Sequence, residues 1–219
     1  MTETMMTLSP IDAMDAALKG HRVELVDSDG VARPLPVENW LAVGPVDCEL
    51  LVDPCTGTTI DVGCGPGRLT AALAANGVFA VGIDVSTEAV RRTRIRGVAA
   101  LRRDVFAPVP AAGLWDHVIL ADGNIGIGGD PVRLLRRVRQ LIGAAGTILV
   151  ELSPPGIGLV HEQFHFRLDG YATLPFVWSR VGGDAIDLVA AAAGLRVETT
   201  SCAAGRYVAI LAPSMAAPR

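Results

Sequence analysis

Residues 58–69 read Thr-Thr-Ile-Asp-Val-Gly-Cys-Gly-Pro-Gly-Arg-Leu, and few folds accommodate such a stretch. A short apolar run (Thr59, Ile60, Val62) carrying an acid at Asp61 enters a turn with glycine at Gly63, Gly65 and Gly67. A helical pattern (Leu69, Ala72, Leu73) begins directly afterwards. Glycines between a strand and a helix let a ligand approach the main chain where side chains would collide. The spacing narrows the choice of ligand. A dinucleotide-binding turn needs G-x-G-x-x-G, and here Arg68 stands where the third glycine belongs, which disfavours a nicotinamide oxidoreductase.

From residue 58 onwards the hydrophobic pattern alternates regularly between strand and helix. It predicts strands at 58–62, 78–83, 98–102, 116–120 and 147–152, with helices over about 66–76, after Ser86, over 130–142 and over 184–193. Such alternation implies parallel β-α-β units with right-handed crossovers and both sheet faces covered. Residues 195–201 and 206–211, split by a short Ala-Ala-Gly connection, read as an antiparallel hairpin closing the sheet. Before the core, Ser9-Pro10 caps a short helix, Val23 and Leu25 alternate towards a Ser28-Asp29-Gly30 turn, and 41–52 reads as a helix. No internal repeat is visible.

The D-x-G-x-G-x-G turn resembles motif I of the class I S-adenosylmethionine (SAM) dependent methyltransferases, and the resemblance extends over roughly 56–152 and 184–212. It implies a doubly wound, mostly parallel seven-stranded α/β sheet ending in an antiparallel hairpin. The whole chain then forms one methyltransferase domain. Residues 1–55 are an N-terminal extension or lid, 56–152 and 182–213 the SAM-binding core, and 153–181 an insertion suited to capping the acceptor. Ligands of open α/β sheets sit outside the carboxyl ends of the strands, at the switch point. Gly63, Cys64, Gly65 and Gly67 are expected there, offering backbone amides and the positive end of a helix to the methionyl carboxylate. The resemblance puts Asp61 on the methionyl ammonium side and Asp84, with its neighbour Val85, on the ribose. It puts Asp104 on the adenine amino group, Val105 against the ring, and Ala121 and Asp122 towards the sulfonium and the acceptor. Asp84 and Asp104 could instead serve only as helix caps. Cys64 is read as a small neutral filler and not as a nucleophile.

The acceptor is less visible, because the reactive methyl belongs to the cofactor and a general base is optional. Asn124 lies in Asp122-Gly123-Asn124-Ile125, which departs from the Asn/Asp-Pro-Pro-aromatic motif of many amino-methylating enzymes. Trp40 is a candidate lid residue, or simply an aromatic packed on the core. His161-Glu162-Gln163-Phe164-His165 matches the H-E-x-x-H zinc pattern literally, but that pattern works only on a helix. Here Phe164, Phe166 and Leu168 alternate with His161, Gln163 and His165, the period of a strand, which would hold the histidines about 13 Å apart. No metal is therefore expected. Asp169-Gly170 reads as a hairpin turn into 171–178. His161 and His165 remain candidate bases lining an acceptor pocket, with a solvated face as the alternative.

Arginines cluster at 91–96, 102–103 and 133–139, as an RNA surface or as the charged outer faces such helices require. A formal charge of −4 argues against nucleic acid as the default partner. The four cysteines form no C-x-x-C pair, as expected of reduced thiols. The first six residues lack a basic-then-apolar signal, and no apolar run is long enough to span a bilayer. The expectation is a cytoplasmic SAM-dependent methyltransferase acting at oxygen or nitrogen of a small molecule, with no membrane partner and nucleic acid disfavoured. An RNA or protein methyltransferase and a non-catalytic SAM-binding module remain open. Nothing in the sequence speaks to oligomeric state.

Overall fold

The computed structural model describes residues 8–214. The hexapeptide read above for a signal lies outside the described residues. Helix α1 (Pro10–Leu18) starts in a capping box: the Asp12 amide donates to Ser9 Oγ (3.1 Å), and the Ser9 amide donates back to the Asp12 carboxylate. Strands β1 (Val23–Asp27) and β2 (Ala32–Pro34) form a hairpin. Its turn is tied by Asp27, whose Oδ1 accepts the amides of Asp29 and Val31. The helix expected over 41–52 is shorter than the pattern suggested. A 3₁₀ turn (Val37–Trp40) precedes α2 (Pro45–Asp47), which widens into a π turn over Cys48–Val52.

The alternating core follows as β3 (Thr59–Val62), α3 (Arg68–Ala75), β4 (Ala80–Asp84), α4 (Thr87–Ile95), β5 (Ala99–Arg102) and β6 (Trp115–Leu120). Next come a kinked 3₁₀ stretch (Asn124–Gly129), α5 (Pro131–Arg139) and β7 (Ile142–Leu152). The amides of Ala89 and Arg133 donate to Ser86 Oγ and Asp130 Oδ1, which fixes where α4 and α5 begin. Strands β8 (Leu159–Leu168), β9 (Tyr171–Ala172) and β10 (Phe176–Val181) precede α6 (Ile186–Ala192), β11 (Leu195–Ala203) and β12 (Arg206–Pro213).

The main sheet has the order β11-β12-β7-β6-β3-β4-β5. Its five central and edge strands β3 to β7 pair in parallel, while β12 runs antiparallel to β7 and β11 antiparallel to β12. This is the expected seven-stranded sheet with its hairpin end. All four residues of β3 are buried, which fits a strand covered on both faces. Between β3 and its neighbours β4 and β6 the strand order reverses, so the switch point falls on the glycine turn.

One feature of the architecture is absent from the sequence pattern. The N-terminal hairpin and the 159–181 segment share a second, antiparallel sheet of order β10-β8-β1-β2, with β9 on β8. Val23 to Asp27 pair with Leu168 to Phe164, joining segments some 140 residues apart in the chain. Residues 23–34 and 159–181 therefore build one sheet between them. Phe166 is buried against Ala13, Ala17 and Val23, so α1 seals the apolar face of this sheet. Phe176 stacks on Phe166 at 4.9 Å and meets Trp178 edge-on at 6.4 Å.

Candidate functional site

The three glycines of the turn have left-handed backbones (φ +71°, +53° and +80°), but their surroundings differ. A Cβ on Gly63 would lie 2.7 Å from Asn124 Nδ2, and one on Gly67 2.5 Å from Thr93 Cγ2. At Gly65 a Cβ would meet nothing within 4 Å. Two glycines thus serve packing, and Gly65 faces the open side where a ligand would approach.

The amides of this turn, expected to face a ligand, have partners within the protein. Gly63 and Cys64 both donate to the Ile83 carbonyl, Gly65 donates to Asp84 Oδ2 (3.0 Å), and Gly67 donates to the Cys64 carbonyl. The left-handed turns fold each N–H back onto the protein. What remains for a ligand is the exposed main chain at Gly65 and the positive end of α3.

Asp84 receives the Gly65 amide on one oxygen and the Ser86 amide (2.8 Å) on the other. Each oxygen keeps a lone pair, enough for a vicinal diol. Burial raises the Asp84 pKa against the pull of those two amides. Val85 beside it is 40 % exposed, an apolar surface at the mouth. Asp104 is exposed, and its Oδ1 accepts the Phe106 amide, forming a local turn. Val105 is buried in the main core, which leaves little of it to face a ring. Ala121 is likewise buried at the end of β6.

Asp61 is fully enclosed and takes the Thr70 hydroxyl (2.7 Å) on Oδ2; burial pushes its pKa up to about 6. Cys64 points inward, its Sγ 3.8 Å from Thr93 Oγ1, and burial raises its thiol well above the ordinary range. It acts as filler, and only its main chain borders the turn.

Arg68, the residue that broke the dinucleotide pattern, is the centre of an ion-pair ring that the sequence reading missed. Only 5 % exposed, it donates from Nη2 to both oxygens of Asp122 (2.7 Å each). Its Nη1 stands 2.6 Å from Asp47 Oδ1 without the alignment of a hydrogen bond, and Nε has no acceptor. Arg206 of β12 closes the ring. Its guanidinium donates to both oxygens of Glu151 and to Asp47 (2.6 Å). Glu151 Oε2 accepts the Asp122 amide (2.7 Å), which pins Asp122 in a left-handed conformation (φ +53°). Burial raises the Asp122 pKa while Arg68 lowers it. A buried cation starting an otherwise apolar helix was the available clue; its partners come from four distant segments.

Asn124 donates from Nδ2 to the carbonyls of Val62 (2.9 Å) and Gly63 (3.0 Å), leaving only its carbonyl oxygen for an acceptor. His161 and His165 lie on strand β8, facing Ser179 and Val26 across the ladder. His161 Nδ1 lies 2.7 Å from Ser179 Oγ and 3.0 Å from the Gly129 carbonyl, so the strand is tied to the loop after β6 and Nε2 is left over. His165 has no such tie to that loop, and its register partner belongs to the N-terminal hairpin. Among the described residues no cluster of metal-ligating side chains forms. Trp40 is half-buried at the end of its 3₁₀ turn, beside Leu41, whose carbonyl accepts from Arg96. A cleft of about 130 Å³ opens between Asp122 and Glu151 on the main sheet and Ser179 and Arg180 on β10. Trp178 Nε1 donates to the Gly123 carbonyl (3.2 Å), holding β10 over the β6 exit.

The arginines of the helices act largely as fasteners. Arg94 donates to the Ala100 carbonyl, Arg96 to Pro66 and Leu41, Arg136 to Ala192, and Arg137 to Val105 and Ala107. Arg91 and Arg92 share Glu88.

Residues 60–146 match the family model described as a methyltransferase domain. A search of the curated proteins finds no match. Among solved structures, the chain is similar to a SAM-dependent methyltransferase from Bacteroides fragilis in complex with S-adenosyl-L-homocysteine (SAH), at 24 % identity and TM-score 0.81, over 95 % of this chain and 98 % of that one. It is also similar to the O-methyltransferase NcsB1 from neocarzinostatin biosynthesis, in complex with SAH and 1,4-dihydroxy-2-naphthoic acid (17 %, TM-score 0.58, 77 % of this chain and 52 % of that). A third likeness is the sugar N-methyltransferase KedS8 from Streptoalloteichus (17 %, TM-score 0.51, 75 % and 83 %). At these identities the structural likenesses speak for the fold, and the family match over 60–146 speaks for the chemistry. Gly65 facing open space and the free lone pairs of Asp84 suit a nucleoside. Residues 60–146 are thus similar to a methyltransferase domain, set in a fold shared with SAM-dependent methyltransferases.

Proposed function

We propose that the chain is a SAM-dependent methyltransferase that acts on oxygen or nitrogen of a small molecule, as a cytoplasmic enzyme. The observation that carries the reading is the cleft of about 130 Å³ at the carboxyl ends of β6 and β7, roofed by β10 of the second sheet. Such a limited volume suits a small acceptor. The fastening of the helix arginines to main-chain carbonyls argues in the same direction, because it makes them part of the scaffold. The O- and N-methyltransferases among the structural likenesses fit either acceptor atom.

When bound, SAM supplies an electrophilic methyl carbon: an acceptor lone pair bonds to it, the carbon–sulfur bond breaks with its pair left on sulfur, and SAH is released. The residues do the rest. Asp84 holds the ribose hydroxyls, with Val85 on the adenine side; Asp104 stays near the base edge. Arg68 takes the carboxylate on Nε and Asp61 sits on the ammonium side. The second sheet excludes water and presses the acceptor towards the methyl, which supplies most of the acceleration. His161, leashed through Nδ1, offers Nε2 as a base for acceptors that must lose a proton. Trp40 and the Asn124 carbonyl border the entrance.

Two measurements test this. Calorimetry should show SAM and SAH binding, with NADH inert. Methyl transfer from isotopically labelled SAM should appear in the small-molecule fraction of a broad extract; label confined to RNA or protein would refute the small-acceptor reading.

A further inference from the structure

We propose that the acceptor is a small amine that enters as its ammonium form and is methylated on nitrogen. This deepens the reading above and rests on it. Asp122 and Glu151 bring two carboxylates to the polar lining of the cleft, with Ser153, Ser179 and Arg180, beside apolar Ile125 and Leu152. The guanidiniums that partly balance those carboxylates, Arg68 on Asp122 and Arg206 on Glu151, are not among the residues that line it. Counting Asp47, the ring holds three carboxylates against two guanidiniums, one negative charge in excess. The cation at the rim, Arg180, is engaged by both oxygens of Glu162 across the strand (2.7 and 3.2 Å). The cavity therefore presents negative potential to whatever occupies it.

Charge decides among acceptor classes. A hydroxyl acceptor develops negative charge as it loses its proton, and two neighbouring carboxylates oppose that. An acid or a phosphate ester is repelled outright. An amine is drawn in as the ammonium and gives one proton to the Asp122 carboxylate, whose side chain is 33 % exposed and so returns the proton to solvent. The neutral nitrogen then attacks the methyl carbon and ends with the positive charge that sulfur gives up. Positive charge thus moves within reach of the same carboxylates, which stabilise it at the nitrogen end.

The test uses SAH-loaded wild-type protein titrated with n-butylamine, n-butanol and butyrate, chains of one shape and different charge, with binding read by saturation-transfer NMR. The amine should bind at least tenfold more tightly than the other two. Equal affinities, or a preference for butanol or butyrate, overturn the proposal. Glu151→Gln and Asp122→Asn, checked for folding and for SAH affinity by calorimetry, should each erase the preference; a folded variant that keeps it also overturns the proposal. In parallel, CD3-labelled SAM incubated with a metabolite extract should place CD3 on nitrogen of a cationic product. Label on oxygen, sulfur or an acidic metabolite, or no labelled metabolite while SAH binds, overturns the amine assignment alone. Failure of SAH to bind would overturn the cofactor reading beneath it.

Discussion

The two sheets of this protein are made in opposite ways. The seven-stranded sheet arises from neighbouring β-α-β units, each crossover linking strands that are adjacent in the chain or nearly so, and it ends in a turn of three tightly specified glycines. The second sheet is assembled from two distant pieces, β1–β2 and β8–β10, and its apolar face is closed by α1. In the reading proposed above, the first sheet holds the methyl donor and the second roofs the acceptor. A scaffold that holds one ligand rigidly can thereby change its other ligand through segments whose pairing is independent of the core.

The sharpest way to break this division is at Gly65. Gly65→Val places a branched side chain in the open space beside Asp84, and it adds roughly 1–2 kcal/mol of left-handed backbone strain. SAH binding should vanish from calorimetry while the melting temperature falls by only a few degrees. Retained binding would show that the turn does not face the cofactor. Gly67→Ala should do the reverse, lowering stability through its collision with Thr93.

Next in size is Phe166→Ala. Removing this buried ring from the cluster with Phe176, Ala13 and Val23 should cost about 3–5 kcal/mol. If the sheets are separable, hydrogen exchange should speed up over 10–27 and 159–181 and stay unchanged in β3, β4 and β6. Uniform loss of protection would mean that they unfold as one unit, and the contrast between them would be topological only.

Asp61 sharpens the comparison from the donor side. Its folded pKa of about 6 lies above the ordinary value of 3.8, so the folded state binds its proton more tightly than the unfolded state does. This contribution favours folding fully below about pH 4, declines as pH rises through 6, and is lost above it. The shift corresponds to about 3 kcal/mol of stability forgone at neutral pH. Asp61→Asn keeps an acceptor for the Thr70 hydroxyl. It should raise stability at pH 7 by up to that amount, with the gain shrinking towards zero near pH 4, while SAH binding weakens. A stability difference independent of pH would show that Asp61 titrates normally.

The glycine turn and the strand ends around it were legible because their physics is local. Asp61, Gly63, Gly65, Gly67 and Asp84 occupy strand ends and one turn whose geometry is set by residues within a few positions, and period and spacing expose them. The acceptor half was not legible, because its contacts are long-range. Nothing near Arg68 in the chain announces Asp47, Asp122, Glu151 or Arg206, and no periodicity reveals that Val23 to Asp27 will pair with Phe164 to Leu168. The partners of the glycine amides were hidden for a related reason. Positive φ was foreseeable from composition, but the direction in which each N–H then points depends on Ile83 and Asp84, on a different strand. The strand character of 161–168, by contrast, was visible in its alternation and removed the zinc reading of His161 and His165.

The smallest expected effect bears on whether the two halves communicate. Asp15, on α1, accepts the Ser86 hydroxyl and the Glu88 amide (3.1 Å) on the same oxygen, Oδ1. Ser86 in turn donates its amide to Asp84, the proposed ribose ligand. The helix that seals the second sheet is therefore two hydrogen bonds away from the donor's sugar. Asp15→Ala should cost about 1 kcal/mol of stability, the usual net value of such bonds. If α1 also braces Asp84, SAH affinity should fall three- to tenfold in calorimetry, and removing an acceptor-side contact will have been felt at the donor. The same loss of stability with unchanged SAH affinity would make α1 a brace for the second sheet alone, and the two halves would then share a boundary without sharing energy.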